Sequence, residues 1–197
     1  MTFRAAARRD AEVNMLELRR RVSDDLDACV GVLAEVHEAD HYPANWPTHP
    51  NRWLTPDGLL EAWVAVSGSA IVGHVVLQDG AGVDPTLTNT IDVPPDRLAC
   101  VSRLFVAPGA RGHKVAGQLL ATVGRYASVR ALRLTLDVAD NCTAAIRLYE
   151  QAGWTRIGST PVEWLTTNGA PGSVHHYLGP TDLTASSQDG LIDLHGG

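Results

Sequence analysis

The stretch from Val101 to Trp154 restricts the fold more than any other part of the chain. An apolar run, Val101 to Val106, meets the turn-forming Ala107-Pro108-Gly109. Arg111-Gly112-His113-Lys114-Val115-Ala116-Gly117 then opens a helical pattern. Val115, Leu119, Val123 and Tyr126 recur along one stripe of that helix, with Ala116 and Leu120 beside them. A Leu-alternating strand follows, with Leu132, Leu134 and Leu136 on one face and Arg133, Thr135 and Asp137 on the other. A second helical pattern closes the unit at Leu148-Tyr149-Glu150-Gln151-Ala152-Gly153-Trp154. A strand running into a helix whose first turn lacks acidic residues makes an anion site. The helix start offers unpaired backbone N–H groups and a partial positive charge. The segment Arg111 to Gly117 is therefore expected to hold a phosphorylated ligand by its main chain.

The flanking sequence fits one mixed α/β domain. Leu16 to Arg20 reads as a strand, Ser23 as the cap of a helix, and Leu26, Val30, Leu33 and Val36 as its apolar stripe, to about Glu38. Residues 40 to 58 form a loop bearing Pro and Trp. Leu60 to Val66 and Ile71 to Leu77 form a hairpin across Ser67-Gly68-Ser69. Residues 79 to 96 make a long polar loop. Trp154 to Gly158 and Val174 to Leu178 are the closing strands, around turn residues 166 to 172. The domain spans residues 15–180. Residues 1–14 are expected to be a flexible extension and 181–197 a flexible tail.

Composition narrows the class further. At 197 residues with 45% hydrophobic and 19% charged side chains, the chain can bury a core without metals or disulfides. A formal net charge of −6 disfavours nucleic acid and suits a cationic, amine-bearing substrate. Cys29, Cys100 and Cys142 lack metal spacing and read as reduced thiols of a cytoplasmic protein. His175 and His176 face opposite sides of a strand, so no metal site is expected, and no apolar run is long enough to cross a membrane.

These residues resemble the GNAT superfamily of N-acetyltransferases, over about residues 15 to 180. Its phosphate-loop pattern, Arg/Gln-x-x-Gly-x-Gly/Ala, falls on Arg111, Lys114 and Ala116. Its later run falls on Ala145-Ile146-Arg147-Leu148-Tyr149-Glu150-Gln151-Ala152-Gly153-Trp154. The resemblance implies a mostly antiparallel mixed sheet flanked by helices, with acetyl-CoA as co-substrate and a primary amine as acceptor. It also implies direct attack of that amine within a ternary complex. Leu104, Phe105 and Val106 would meet the pantetheine arm with their backbone groups, and Tyr149 would serve the departing thiolate. Two positions depart from the pattern. Lys114 stands where the family has glycine, and Cys142 stands where it has an asparagine, with Asn141 one place early.

The general base is open at this level. Asp137 falls where some protein N-terminal acetylating relatives carry glutamate. His74, Glu61 and His41 are further candidates, each with a structural reading beside it. Freeing a lysine-like amine at pH 7 costs about 4.6 kcal/mol, against about 1.4 kcal/mol for a peptide α-amine, which makes low-pKa amines the easier substrates. Tyr42, Trp46, Trp53 and Trp63 are expected either to wall an acceptor pocket or to anchor the proline-rich loop. The acceptor is a small molecule or a peptide, and a homodimer is compatible with the apolar final strand. The competing reading is a non-catalytic acyl-CoA-binding sensor that kept the fold.

Overall fold

The computed structural model describes residues 15–83, 87, 91–165 and 171–181. The extension 1–14, the tail beyond Thr181 and the turn at 166–170 lie outside them. The strands are β1 (Leu16–Arg20), β2 (Leu59–Ser67), β3 (Ala70–Asp79), β4 (Leu98–Val106), β5 (Arg133–Ala139), β6 (Thr155–Leu165) and β7 (Pro171–Leu178). The helices used below are α1 (Leu26–Asp40), α2 (Pro50–Leu54), α3 (Val115–Val129) and α4 (Thr143–Gln151). The strands form one sheet in the order β1-β2-β3-β4-β5-β7-β6, and β4–β5 is its one parallel pair.

Alternation along the strands divides the core between the two faces. Trp63, Ala65, Val75, Leu77, Leu134 and Leu136 pack under α3 and α4, against Leu119, Val123 and Tyr149. Val64, Val66 and Phe105 face the other way, toward Cys29, Leu33 and Val36 of α1 and Leu54 of α2. Each fully buried aliphatic side chain contributes about 1.5–3 kcal/mol, so the stripes of α1 and α3 fix which face each helix covers. Trp63 lies on the α3 side, 5.1 Å from the Tyr126 ring, and so belongs to the core, not to a pocket wall on the α1 side. On the α1 side, α1 and α2 pack over the β2–β4 half of the sheet.

The entry to α1 differs from the sequence expectation. Ser23 makes no cap; it begins a 3-10 turn, Ser23–Asp25, behind an extended Val22. Asp25 does the capping, because its carboxylate accepts the Val22 N–H (2.7 Å) and both terminal nitrogens of Arg19 (2.7 Å each). At the other end the helix runs two residues past Glu38. His41 adopts a left-handed conformation (φ 56°) and donates its N–H to the His37 carbonyl at 2.8 Å.

Those contacts hold the Asp25 carboxyl below the usual carboxylate range, the Arg19 bonds being the main cause. A carboxylate whose folded-state pKa is depressed stabilises the fold fully above its unfolded pKa of about 3.9, and that contribution is lost as pH falls through the folded value. Asp25→Asn is expected to cost about 1–2 kcal/mol at pH 7. The difference from the parent should shrink steadily below pH 4, as read by urea denaturation at a series of pH values.

Candidate active site

The site begins where the sheet comes apart. Strands β4 and β5 pair only at Leu98↔Arg133, Ala99↔Leu134 and Cys100↔Thr135. Past that point Val101–Val106 keep β3 on one side and Leu136–Ala139 keep β7 on the other, with no pairing between them. A bulge contributes to the opening. His74 pairs with Phe105 and Val76 with Ser102, so Arg103 and Leu104 together oppose Val75. Arg103 takes a left-handed backbone (φ 50°), which is costly for a non-glycine residue and re-aims its side chain. Two strand edges with unused backbone groups thus line a wedge in the middle of the sheet. The backbone of Leu104, Phe105 and Val106 forms one wall, while the Phe105 side chain is buried in the α1-side core.

The loop expected to hold an anion lies beyond the end of β4. After the turn Pro108–Ala110, Gly112 (φ 81°) and Lys114 (φ 59°) both turn left-handed, and Lys114 is the residue before α3. That geometry explains the family's glycine: a lysine here bears a backbone cost of about 1–2 kcal/mol. The first bond inside α3 runs from the Gln118 N–H to the Lys114 carbonyl (3.0 Å). The N–H groups of Val115, Ala116 and Gly117 have no backbone acceptor among the described residues. Val115 is 3% exposed and pins the helix start to the core, while residues 111–114 are exposed. A Cβ placed on Gly117 would meet nothing within 4 Å. Arg111 forks onto Asp40 at the end of α1, its Nη1 donating to Oδ1 at 3.1 Å and its Nη2 to Oδ2.

Tyr149 projects from α4 into the core on the α3 side of the sheet. It is 8% exposed and packs on Trp154 (ring centroids 6.0 Å apart) and Tyr177 (6.3 Å). Its hydroxyl has no hydrogen-bond partner among the described residues. Burial, with Tyr42, Cys142 and Cys100 nearby, raises its pKa above the ordinary phenol value. Tyr42 sits edge-on to Trp53 at 6.1 Å, and burial raises its own hydroxyl to about 12. Burial likewise pushes the Cys100 thiol up to about 12 and raises the Cys142 thiol, so neither is an activated nucleophile. Asn141 is exposed at the start of α4, where its side-chain oxygen accepts from the Cys142 Sγ at 3.6 Å.

The base candidates separate clearly. His74 is fully buried and stacked on Phe105 (5.0 Å). Its Nδ1–H donates to the Arg103 carbonyl (3.1 Å), and its Nε2 accepts from Arg21 Nη1 (3.0 Å). Burial lowers its pKa to about 3, and both ring nitrogens are committed. Glu61 pairs with Arg20 at 3.0 Å, and Arg20 in turn reaches toward Tyr126 on the α3 side, away from α1. His41 is the exposed residue that ends α1.

Asp137 is different. It projects from β5 beside the wedge with its side chain 52% exposed, and it accepts from Nδ1 of His176 on β7 at 2.7 Å. The other ring nitrogen of His176, Nε2, meets Thr160 Oγ1 at 2.8 Å, so the hydroxyl donates and the imidazole is fixed in one tautomer. His176 itself is buried (6% exposed). Sequence reasoning had seen His176 only as half of a poor metal pair. Its partner lies 39 positions away and becomes visible only through the register Asp137↔His176. A separate open hollow of about 500 Å3, lined by Leu60, Asp79, Asp96, Leu98 and Tyr126 among others, contains none of these groups.

Residues 59–156 match the family model of the Acetyltransferase (GNAT) domain, a span running from β2 into β6 and containing the wedge, the loop and Tyr149. This is a GNAT acetyltransferase domain. Its fold is shared with the ribosomal-protein-S18-alanine N-acetyltransferase from Escherichia coli (16% identity, TM-score 0.64, covering 89% of this chain and 99% of that one). It is shared equally with NAA60 from Arabidopsis thaliana. One structure of that protein holds a bisubstrate analogue (20% identity, TM-score 0.65, 83% and 97% covered). Another holds acetyl-CoA (18% identity, TM-score 0.64, 83% and 97% covered). No curated protein matches the sequence. The GNAT domain here has no helix among its described residues long and apolar enough to cross a membrane.

Proposed function

We propose that the protein is an acetyl-CoA-dependent N-acetyltransferase acting on a primary amine. The observation that carries this reading is the wedge. Two unpaired strand edges begin at Cys100↔Thr135, the unbonded N–H groups of a helix start lie beyond the end of one of them, and Tyr149 is buried on the same sheet face as that helix, with Cys100 among its neighbours. When bound, acetyl-CoA supplies an acetyl thioester that the amine attacks directly, yielding the amide and the free thiol.

The chain's own groups fit those demands. The N–H groups of Val115, Ala116 and Gly117, with Arg111, Gly112, His113 and Lys114 around them, suit a diphosphate. The free backbone of Leu104, Phe105 and Val106 suits an amide-bearing arm laid along β4, with Asn141 on the opposite rim, and a peptide N–H there can hold oxyanion charge. Tyr149 donates a hydrogen bond to the departing sulfur. Because burial raises its pKa, keeping the proton while donating is favoured over giving it up. Asp137 and His176 take the amine's proton: Asp137 is exposed beside the wedge, and His176 holds its carboxylate in place. The high thiol pKa of Cys100 argues against a covalent acyl-enzyme.

Coenzyme-thiol release from acetyl-CoA over a panel of amines tests the reading, and amine-dependent release is expected. Tight acetyl-CoA binding with no amine-dependent thiol would select the acyl-CoA sensor instead. Within an active protein, Asp137→Asn and His176→Gln should each lower kcat about tenfold or more, and the double variant should be no worse than either alone, because the pair acts as a unit. Multiplying losses would separate the two residues.

A further inference from the structure

The second charged feature of this face is a cation with no counter-charge. Arg103, on the β4 bulge, is tied down on three sides. Its Nε–H donates to the Trp53 carbonyl, and its Nη1 donates to Gln78 Oε1 (2.7 Å) and Ser102 Oγ (2.9 Å). The guanidinium lies over the Trp53 ring, 4.9 Å from its centroid. Every one of these partners is neutral. Among the described residues no carboxylate lies within ion-pair distance, and Nη2 has no hydrogen-bond partner. The chain has 22 acidic against 16 basic residues, and Arg19, Arg20 and Arg111 each hold a carboxylate, so this omission is not a shortage of acid. Burial lowers the Arg103 pKa, which marks a charge held at a desolvation cost with no carboxylate among the described residues to neutralise it.

Its position gives the omission a use. Cys100, at the mouth of the wedge, feels Asp137 and Arg103 in opposite senses, the first raising and the second lowering its thiol pKa. The strand register places them: Cys100 pairs with Gln78, which holds Arg103, and with Thr135, two positions before Asp137 on the same face of β5. An acceptor whose amine lies at Asp137 and whose far end reaches Arg103 needs a negative group there. A carboxylate suits it, because the Nη2 hydrogens are free to donate and the fixed guanidinium plane loses little entropy on pairing.

We propose that Arg103 anchors a carboxylate of the acceptor, so that the substrates are small amines of the amino-acid class, bearing a carboxylate within a few bonds of the reacting nitrogen. This rests on the acetyltransferase reading for the place of the amine, but its test needs no turnover. The probes are glycine, β-alanine, 4-aminobutyrate, alanine, aspartate and glutamate, each beside its carboxamide, titrated calorimetrically into protein saturated with coenzyme A.

At least one acid should bind tenfold or more tightly than its amide, and Arg103→Gln should bring that ratio to about one. Arg103→Lys, which keeps the charge but loses the tied-down planar donor, should leave a reduced preference. If Arg103→Gln fails to fold, the parent ratio and Arg103→Lys carry the test. Equal binding of acids and amides by the parent, no binding of any acid, or a preference that survives in Arg103→Gln overturns the proposal. Thiol release with the same compounds is read separately. Acid-selective binding without release would leave the anchor standing and remove the enzyme reading. Release that ignores the carboxylate would do the reverse.

Discussion

Tyr149→Phe is expected to lower kcat about ten- to a hundredfold while leaving the protein as stable as its parent or slightly more so. The two halves of that expectation have one cause. The Tyr149 ring is buried against Trp154 and Tyr177, while its hydroxyl has no hydrogen-bond partner among the described residues and is not sealed from solvent. Deleting a hydroxyl that bonds nothing among the described residues breaks no interaction of the fold and leaves the ring packing intact. A residue kept only for packing would therefore tolerate the change in both assays. A residue that serves the leaving sulfur would lose rate with acetyl-CoA affinity nearly intact. Turnover within twofold of the parent would return Tyr149 to the core.

Lys114→Glu should raise the dissociation constant for acetyl-CoA about thirtyfold or more at low salt. Near the surface two unit charges about 4 Å apart interact by roughly 1 kcal/mol in water and more where the dielectric falls, and the substitution reverses a sign beside a multiply charged diphosphate. The lysine is exposed and left-handed at the head of α3, next to three N–H groups that have no backbone acceptor among the described residues. Raising the ionic strength should narrow the gap between parent and variant, since exposed charges are screened. Lys114→Gly separates charge from shape. It removes one cation but relieves the left-handed backbone, so binding should weaken far less than in the glutamate variant. Unchanged affinity in Lys114→Glu would move the phosphate site elsewhere.

What the sequence disclosed followed the range of the interaction. The stripe Val115, Leu119, Val123, the β2–β3 hairpin across Gly68 and the anion loop are local patterns, and each sits where periodicity and turn chemistry put it. The strand edge at Leu104 to Val106 was reached through family likeness, while the splay that frees it depends on pairing between strands 35 positions apart, from Cys100 to Thr135. Asp137 stood out as a candidate, but nothing local distinguishes it from a solvated strand residue until β7 brings His176 to within 2.7 Å. Trp63 showed the opposite failing. An aromatic residue carries no sign of which sheet face it will occupy, and the pairing of β2 with β1 and β3 sends it to the α3 side. Ser23 yielded to Asp25 as the cap because Arg19, on the preceding strand, pulls the carboxylate into place.

The three-residue seam between β4 and β5 has a mechanical consequence. Among the described residues it is the only strand pairing that joins the antiparallel meander β1–β4 to the β5–β7 group, and it is the shortest in the sheet. A molecule lodged along both edges would replace the missing rungs and brace one half against the other. Such a protein is loosest at its centre when empty, and its resistance to heat becomes a gauge of how fully it is loaded.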